Sequence, residues 1–205
     1  MPAIIMVGDV QRVGSTPMST RWGTFEVVAF EREVVNGPRR VETALAIKQG
    51  DLTRGAPLLR IHSQCFSGEA FGSLRCDCLE RLEIALRSIA REGRGLVIYE
   101  HQEPGMCLAA RLRARVLDNV GLEMTDGDAS LGIETESSGL ALPTAMLHAL
   151  GVRRVRLLSN DPRESRALAD VGIEVIARLP CVTEDFRSQA DGWCPPADMP
   201  RAAIA

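Results

Sequence analysis

An excess of positive charge is what this chain most plainly lacks: 24 Lys and Arg stand against 27 Asp and Glu, for a net charge of −3. A protein that binds nucleic acid or anionic membrane generally needs the opposite balance to displace counterions, so neither partner is expected, and any anionic ligand must be met by local cations. Long apolar runs are also missing. Stretches such as 95-GLVIY-99 fall far short of the roughly 20 residues that span a bilayer. The N-terminus carries no basic segment followed by an apolar core, so no secretory signal is read there and a cytoplasmic protein is expected. In that reducing compartment the six cysteines read as metal ligands, reactive thiols or small core residues rather than as a disulfide framework. There is no internal repeat and no low-complexity segment. With 45% hydrophobic and 25% charged residues over 205 positions, the expectation is a single domain, 1–205, able to bury a continuous core.

What is present changes character along the chain. Residues 25-FEVVAF-30, 41-VETALAI-47 and 57-PLLRIH-62 are β-branched or apolar, bounded by turn-forming and charged residues, and predict strands. From Cys78 to Glu92, Leu79, Leu82, Ala85, Leu86, Ile89 and Ala90 recur at helical spacing, and Gly93 stands where a helix end takes a left-handed residue. A strand at 95–100 follows. A second helical pattern then runs through Leu108, Leu112, Val116 and Leu117 to Gly121, and a helix from Pro143 to Leu150 comes after it. Strand 153–159, a helix from Pro162 to about Asp170 and strand 173–178 make a βαβ unit, so the fold class is α/β. Segments 32–40 and 124–132 read as loops, and the proline-bearing tail from about 181 reads as poorly ordered.

The chemistry concentrates in 60-RIHSQCFSGEAFGSLRCDCLERLE-83. Cys65, Cys76 and Cys78 offer three thiolates at C-x10-C-x-C spacing. Three protein ligands on Zn²⁺ leave the fourth tetrahedral position for water, which coordination makes reactive near neutral pH. The spacing alone leaves a second reading open, three buried free thiols in a core.

The surrounding residues resemble the zinc-binding signature of GTP cyclohydrolase II. The likeness includes 60-RIHS-63, Gly68, Ala70, 73-SLRCDC-78, Leu82, Glu83, 92-EGRGLVIY-99, Gln102 and Glu103. It continues through 22-WGTF-25, 131-LG-132, 150-LGVRRVRLLSN-160, Pro162 and 171-VGIEVIAR-178. The resemblance implies a mixed sheet flanked by helices, a homodimer, zinc on Cys65, Cys76 and Cys78, and Mg²⁺ for the phosphate half of a reaction that opens the GTP imidazole ring at the start of riboflavin synthesis. It places Arg60, His62, Ser63 and Gln64 along the nucleotide, makes Glu103 the glutamate that reads the base edge, and keeps a hydroxyl at Ser159.

Other positions depart from the family pattern. Its acid and its arginine that attacks the α-phosphate fall at Glu136 and Ser138, and its tyrosine falls at Arg115. A threonine becomes Met124, a glutamine becomes Arg81, a lysine becomes Glu164, and the run after Glu103 is replaced by 104-PGMCL-108. A triphosphate needs guanidinium or ammonium partners, and two of these are lost. The leading expectation is a zinc hydrolase opening the nitrogen heterocycle of GTP or a related nucleotide. The alternatives are a hydrolase acting on a pyrimidine or its nucleotide without releasing pyrophosphate, and a paralogue that binds without turnover.

Overall fold

The computed structural model describes residues 10–34, 40–73, 76–101 and 140–181. In chain order the elements are β1 (Val10–Thr20), β2 (Gly23–Val34), β3 (Arg40–Gln49), β4 (Leu58–Ser63), α1 (Phe66–Glu69) and α2 (Cys78–Glu92). Then follow β5 (Gly95–Glu100), α3 (Ala141–Ala149), β6 (Arg154–Leu158), α4 (Pro162–Asp170) and β7 (Glu174–Leu179). The strands form one seven-stranded sheet in the order β1-β2-β3-β5-β4-β6-β7. Pairings β1–β2, β2–β3 and β3–β5 are antiparallel, whereas β4–β5, β4–β6 and β6–β7 are parallel, so the sheet is mixed as expected.

Alternation sorts the parallel strands onto two layers. Leu59 and Ile61 of β4, Leu96 and Ile98 of β5, and Val155 and Leu157 of β6 pack with Leu142, Met146 and Leu147 of α3 and Leu168 of α4. Their neighbours Leu58, Val97 and Leu158 join a second cluster with Ala85, Leu86 and Ile89 of α2. Strands covered on both sides read as near-continuous apolar runs, as parallel strands do. Each fully buried aliphatic side chain contributes about 1.5–3 kcal/mol.

Helix α2 has the bounds its periodicity predicts, and Gly93 caps it at φ 67°. Helix α4 starts on Asp161, whose carboxylate accepts the Arg163 N–H at 2.8 Å, with Pro162 in its first turn.

Two expectations need correction. Segment 32–40 is not a loop throughout, since β2 continues to Val34 and β3 begins at Arg40. Arg32 sits directly opposite Glu42 and donates from Nε to its carboxylate at 2.9 Å, a cross-strand ion pair that extends the ladder past its apolar part. Strand β1 was not expected at all. Its residues are exposed nearly end to end, and it contains Gly14 and Pro17, so it carries no alternation to read. It exists through its pairing with β2, as an edge strand with a bulge between Arg12 and Gly14. The predicted helix through Leu108 to Leu117, the loop at 124–132 and the tail beyond 181 lie outside the described residues.

Strand β4 lies between β5 and β6, and the chain leaves it first toward β5 and later returns to its other side as β6. The diverging crossovers open a crevice at the C-terminal ends of these strands, where α/β sheets place ligands.

Candidate active site

The cysteines gather at that end of β4. After Ser63 the chain turns through Gln64, whose N–H donates to Glu100 O at 3.0 Å, and Cys65 becomes the residue before α1. Cys78 opens α2. The three Sγ atoms all lie within 4.8 Å of one another, and those of Cys65 and Cys76 are 3.6 Å apart. A tetrahedral zinc ion bonded at about 2.3 Å holds its sulfurs about 3.8 Å apart, so the residues fit such an ion. Gly68 makes the space. A Cβ there would stand 2.8 Å from the Cys76 sulfur and 3.4 Å from that of Cys65.

The thiols are unequal. Burial raises the Cys65 pKa, but hydrogen bonds from the Gly68 N–H, Ser67 and the other two cysteines hold it below its ordinary value. Burial and the two neighbouring sulfurs push Cys78 up. One negative charge is easily placed in the trio, and three thiolates together call for a cation.

Glu69 ties this cluster to the sheet. One carboxylate oxygen accepts the Cys65 N–H at 2.6 Å and lies 3.1 Å from His62 Nε2, and the other accepts the Tyr99 hydroxyl at 2.6 Å. The His62 and Tyr99 rings stack at 5.7 Å between centroids. Although burial raises the Glu69 pKa, the bonds from His62, Tyr99 and Cys65 bring it below the usual carboxylate value. Burial, together with the bond to Glu69, holds the Tyr99 hydroxyl well above its ordinary pKa.

Beside the cysteines opens a cleft of about 390 Å³, whose lining includes Arg60, His62, Ser63, Cys78, Arg81, Glu100 and Glu164. Arg60 donates from Nη1 to Leu158 O at 3.1 Å, and its Nε has no partner among the described residues. Arg81 is held by Asp77, with both Nε and Nη2 at 2.7 Å from one carboxylate oxygen, so its charge is largely answered before any ligand arrives. Glu100 is pushed up to about 7, mainly by burial and further by Glu42 and Glu164, against the hydrogen bond from Ser63 and the charge of Arg32. A carboxyl at that value exchanges protons near neutral pH.

The expected residues therefore divide. Cys65, Cys76 and Cys78 converge, and Arg60, His62, Ser63 and Arg81 line the adjoining cleft. Gln64 sits in the turn between them. Ser159 is buried and its Oγ accepts the Asp161 N–H at 3.0 Å, which ties it to the start of α4. Glu103, Arg115, Glu136 and Ser138 lie outside the described residues. Cys181 is buried, and its Sγ donates to Arg81 O at 3.5 Å. Sequence reasoning missed Glu69, Tyr99 and Glu100. The available signal for Glu100 was its place at the end of a buried strand, one position before His101.

Architecture and side chains together define a class: an α/β domain that presents a cysteine cluster and a polar cleft at the ends of parallel strands. The chain belongs to the GTP cyclohydrolase II family of enzymes, whose sequence pattern it matches over residues 11–180. It is 37% identical to the GTP cyclohydrolase-2 of Yersinia pseudotuberculosis over 176 residues, 85% of this chain and 87% of that one. To an Escherichia coli GTP cyclohydrolase-2 it is 38% identical with the same coverage. Among solved structures it is similar to RibBX, a two domain 3,4-dihydroxy-2-butanone 4-phosphate synthase from A. baumannii, at 17% identity and a TM-score of 0.49. That match covers 84% of this chain and 40% of the other. Among the described residues no helix is long and apolar enough to cross a membrane.

Proposed function

We propose that the chain is a zinc-dependent hydrolase that opens the nitrogen heterocycle of GTP or a related nucleotide. The observation that carries this is the convergence of Cys65, Cys76 and Cys78 over Gly68 at the edge of the cleft, in a member of the GTP cyclohydrolase II family. Zinc held by these three residues would supply a Lewis acid and an activated water. The chain's own groups do the rest. Glu69 orients Cys65 and His62 together, His62 lines the cleft, and Glu100 can take up or release a proton at neutral pH. By resemblance, Glu103 reads the base edge and Glu136 is a proton acceptor. The same resemblance extends the reading to a homodimer that uses Mg²⁺ with phosphorylated substrates, and the reading places it in the cytoplasm.

A second reading, hydrolysis of a pyrimidine or its nucleotide without pyrophosphate release, draws on Ser138 and on Glu164. A hydroxyl and a carboxylate stand where the family pattern has cations. The test is to incubate zinc- and magnesium-loaded protein with GTP, GMP, guanosine and uridine nucleotides, following ultraviolet spectra, formate and pyrophosphate together. Ring opening that stops on chelation, with little pyrophosphate from GTP, is expected. Rapid pyrophosphate release would place an arginine other than one at 138 in that role. Ring opening of a uridine nucleotide alone would favour the second reading, and zinc-loaded protein that opens no ring would overturn both.

A further inference from the structure

The cleft holds buried polar atoms whose pattern describes a ligand. Arg60 is 8% exposed and His62 2%, yet Arg60 Nε and His62 Nδ1 have no partner among the described residues. The same is true of Glu164 Oε2, projected from α4 into the same cleft. Leaving such atoms unpaired is costly, so the arrangement suits a bound molecule that pairs them. Arg60 Nε is a donor. Glu164 Oε2 is an acceptor. His62 presents Nδ1 as a second acceptor when its Nε2–H is given to Glu69 at 3.1 Å. A ligand matching them offers an acceptor beside N–H or amino donors, the edge of a lactam-type ring in which C=O adjoins N–H.

The charges agree. Arg81 is already paired with Asp77, and Glu164 and Glu100 add carboxyl groups to the wall. Among the described residues of this wall the cations are Arg60 and the Asp77-paired Arg81, set beside the carboxyls of Glu100 and Glu164, a poor match for the several negative charges of a triphosphate.

We infer that Glu164 is a specificity-determining residue, accepting a ring N–H or amino group while Arg60 donates to a ring oxygen, so that the cleft takes the neutral heterocycle and disfavours polyphosphate. The inference deepens the reading of the chain as a heterocycle-opening hydrolase and rests on it for the reacting end of the cleft. Titration calorimetry on the zinc-loaded full chain tests it, with guanosine, uridine and GTP as probes against wild type, Glu164→Gln and Glu164→Lys. Wild type should bind guanosine or uridine at least about tenfold more tightly than GTP, because the added phosphates meet a wall that carries Glu100 and Glu164. Glu164→Gln should weaken the nucleoside by about tenfold, and Glu164→Lys should reverse the preference in a salt-dependent way. Wild type that binds neither nucleoside more tightly than GTP overturns the inference. So do variants with unchanged melting temperature and zinc content that keep the wild-type preference. Zinc content and ring opening are scored separately. Protein that binds the nucleoside through Glu164 but opens no ring overturns the hydrolase reading and leaves the role of Glu164 standing.

Discussion

The two halves of the sheet are built from different material and carry different burdens. In the antiparallel half, β1 is exposed nearly throughout and β2 alternates between buried and open positions. In the parallel half, the first five residues of β4 and the first four of β5 are buried, with helices on both sides. The cysteine cluster and nearly all of the cleft lining come from the parallel half and the loops at its C-terminal ends. Strands buried on both faces hold their ends rigidly, and rigid ends are what a cluster with sulfurs 3.6 Å apart requires. The antiparallel half gives Val28, Phe30, Ala44 and Ala46 to the same core, and its edge strand β1 is the part freer to vary.

That contrast can be broken by mutation, and the largest effect should come from the cluster. Cys76→Ser leaves two sulfurs, too few to compete with chelators, so zinc by elemental analysis should fall from near one per chain to near zero and ring opening should vanish with it. Full zinc in that variant would remove the cluster from the chemistry. Next comes Glu69→Gln, where the amide nitrogen cannot accept from both sides as a carboxylate does. Zinc affinity by chelator competition should drop about 10–100-fold, the usual cost of losing a group that orients a ligand. A change under about twofold would reduce Glu69 to packing.

A smaller effect is expected at Glu100, and it depends on pH. Its folded pKa, about 7, lies above the ordinary 4.5, so the folded state binds the extra proton between those values. The stability this contributes is complete below about pH 4.5 and is lost as pH rises through 7. Glu100→Gln should therefore melt close to wild type at pH 4.5 and several degrees above it at pH 8, since a shift from 4.5 to about 7 corresponds to about 3 kcal/mol and about 1 kcal/mol moves a domain of this size by roughly 2–4 °C. Equal melting temperatures at both pH values would show that the carboxyl is solvated. The smallest effect belongs to the antiparallel half. Val13, 55% exposed on β1, should accept Thr with less than about 0.5 kcal/mol change in denaturant unfolding and no change in turnover. A large loss there would mean that β1 is covered by something outside the described residues.

The sequence made some of this plain and hid the rest for physical reasons. Helix α2 was legible to the residue because a buried stripe and a terminal glycine are both local signals. The cysteine trio was legible because its members lie within 65–78, close enough for spacing to carry meaning. β1 was illegible since pairing with β2, not burial, makes it a strand. Glu69 carried no signal of its own in the sequence, and it is the fold that brings Tyr99 and His62 to it. Glu164 stood out only as a departure from the family pattern. Its place in one cleft with Arg60 depends on the parallel order β5-β4-β6, which no local window contains.

Cys78 is both a candidate ligand and the first residue of α2, whose far end is capped at Gly93 just before β5. An ion on Cys65 and Cys78 would join the exit of β4 to the start of the helix that leads to β5, as a clip across a short span of chain. A cross-link closing a loop of about 15 residues is worth about 3 kcal/mol in the chain-entropy account. The metal would then act on abundance as well as on chemistry. A cell short of zinc would hold less folded protein, because the β4–α2–β5 crossover would open and be degraded before a substrate was met.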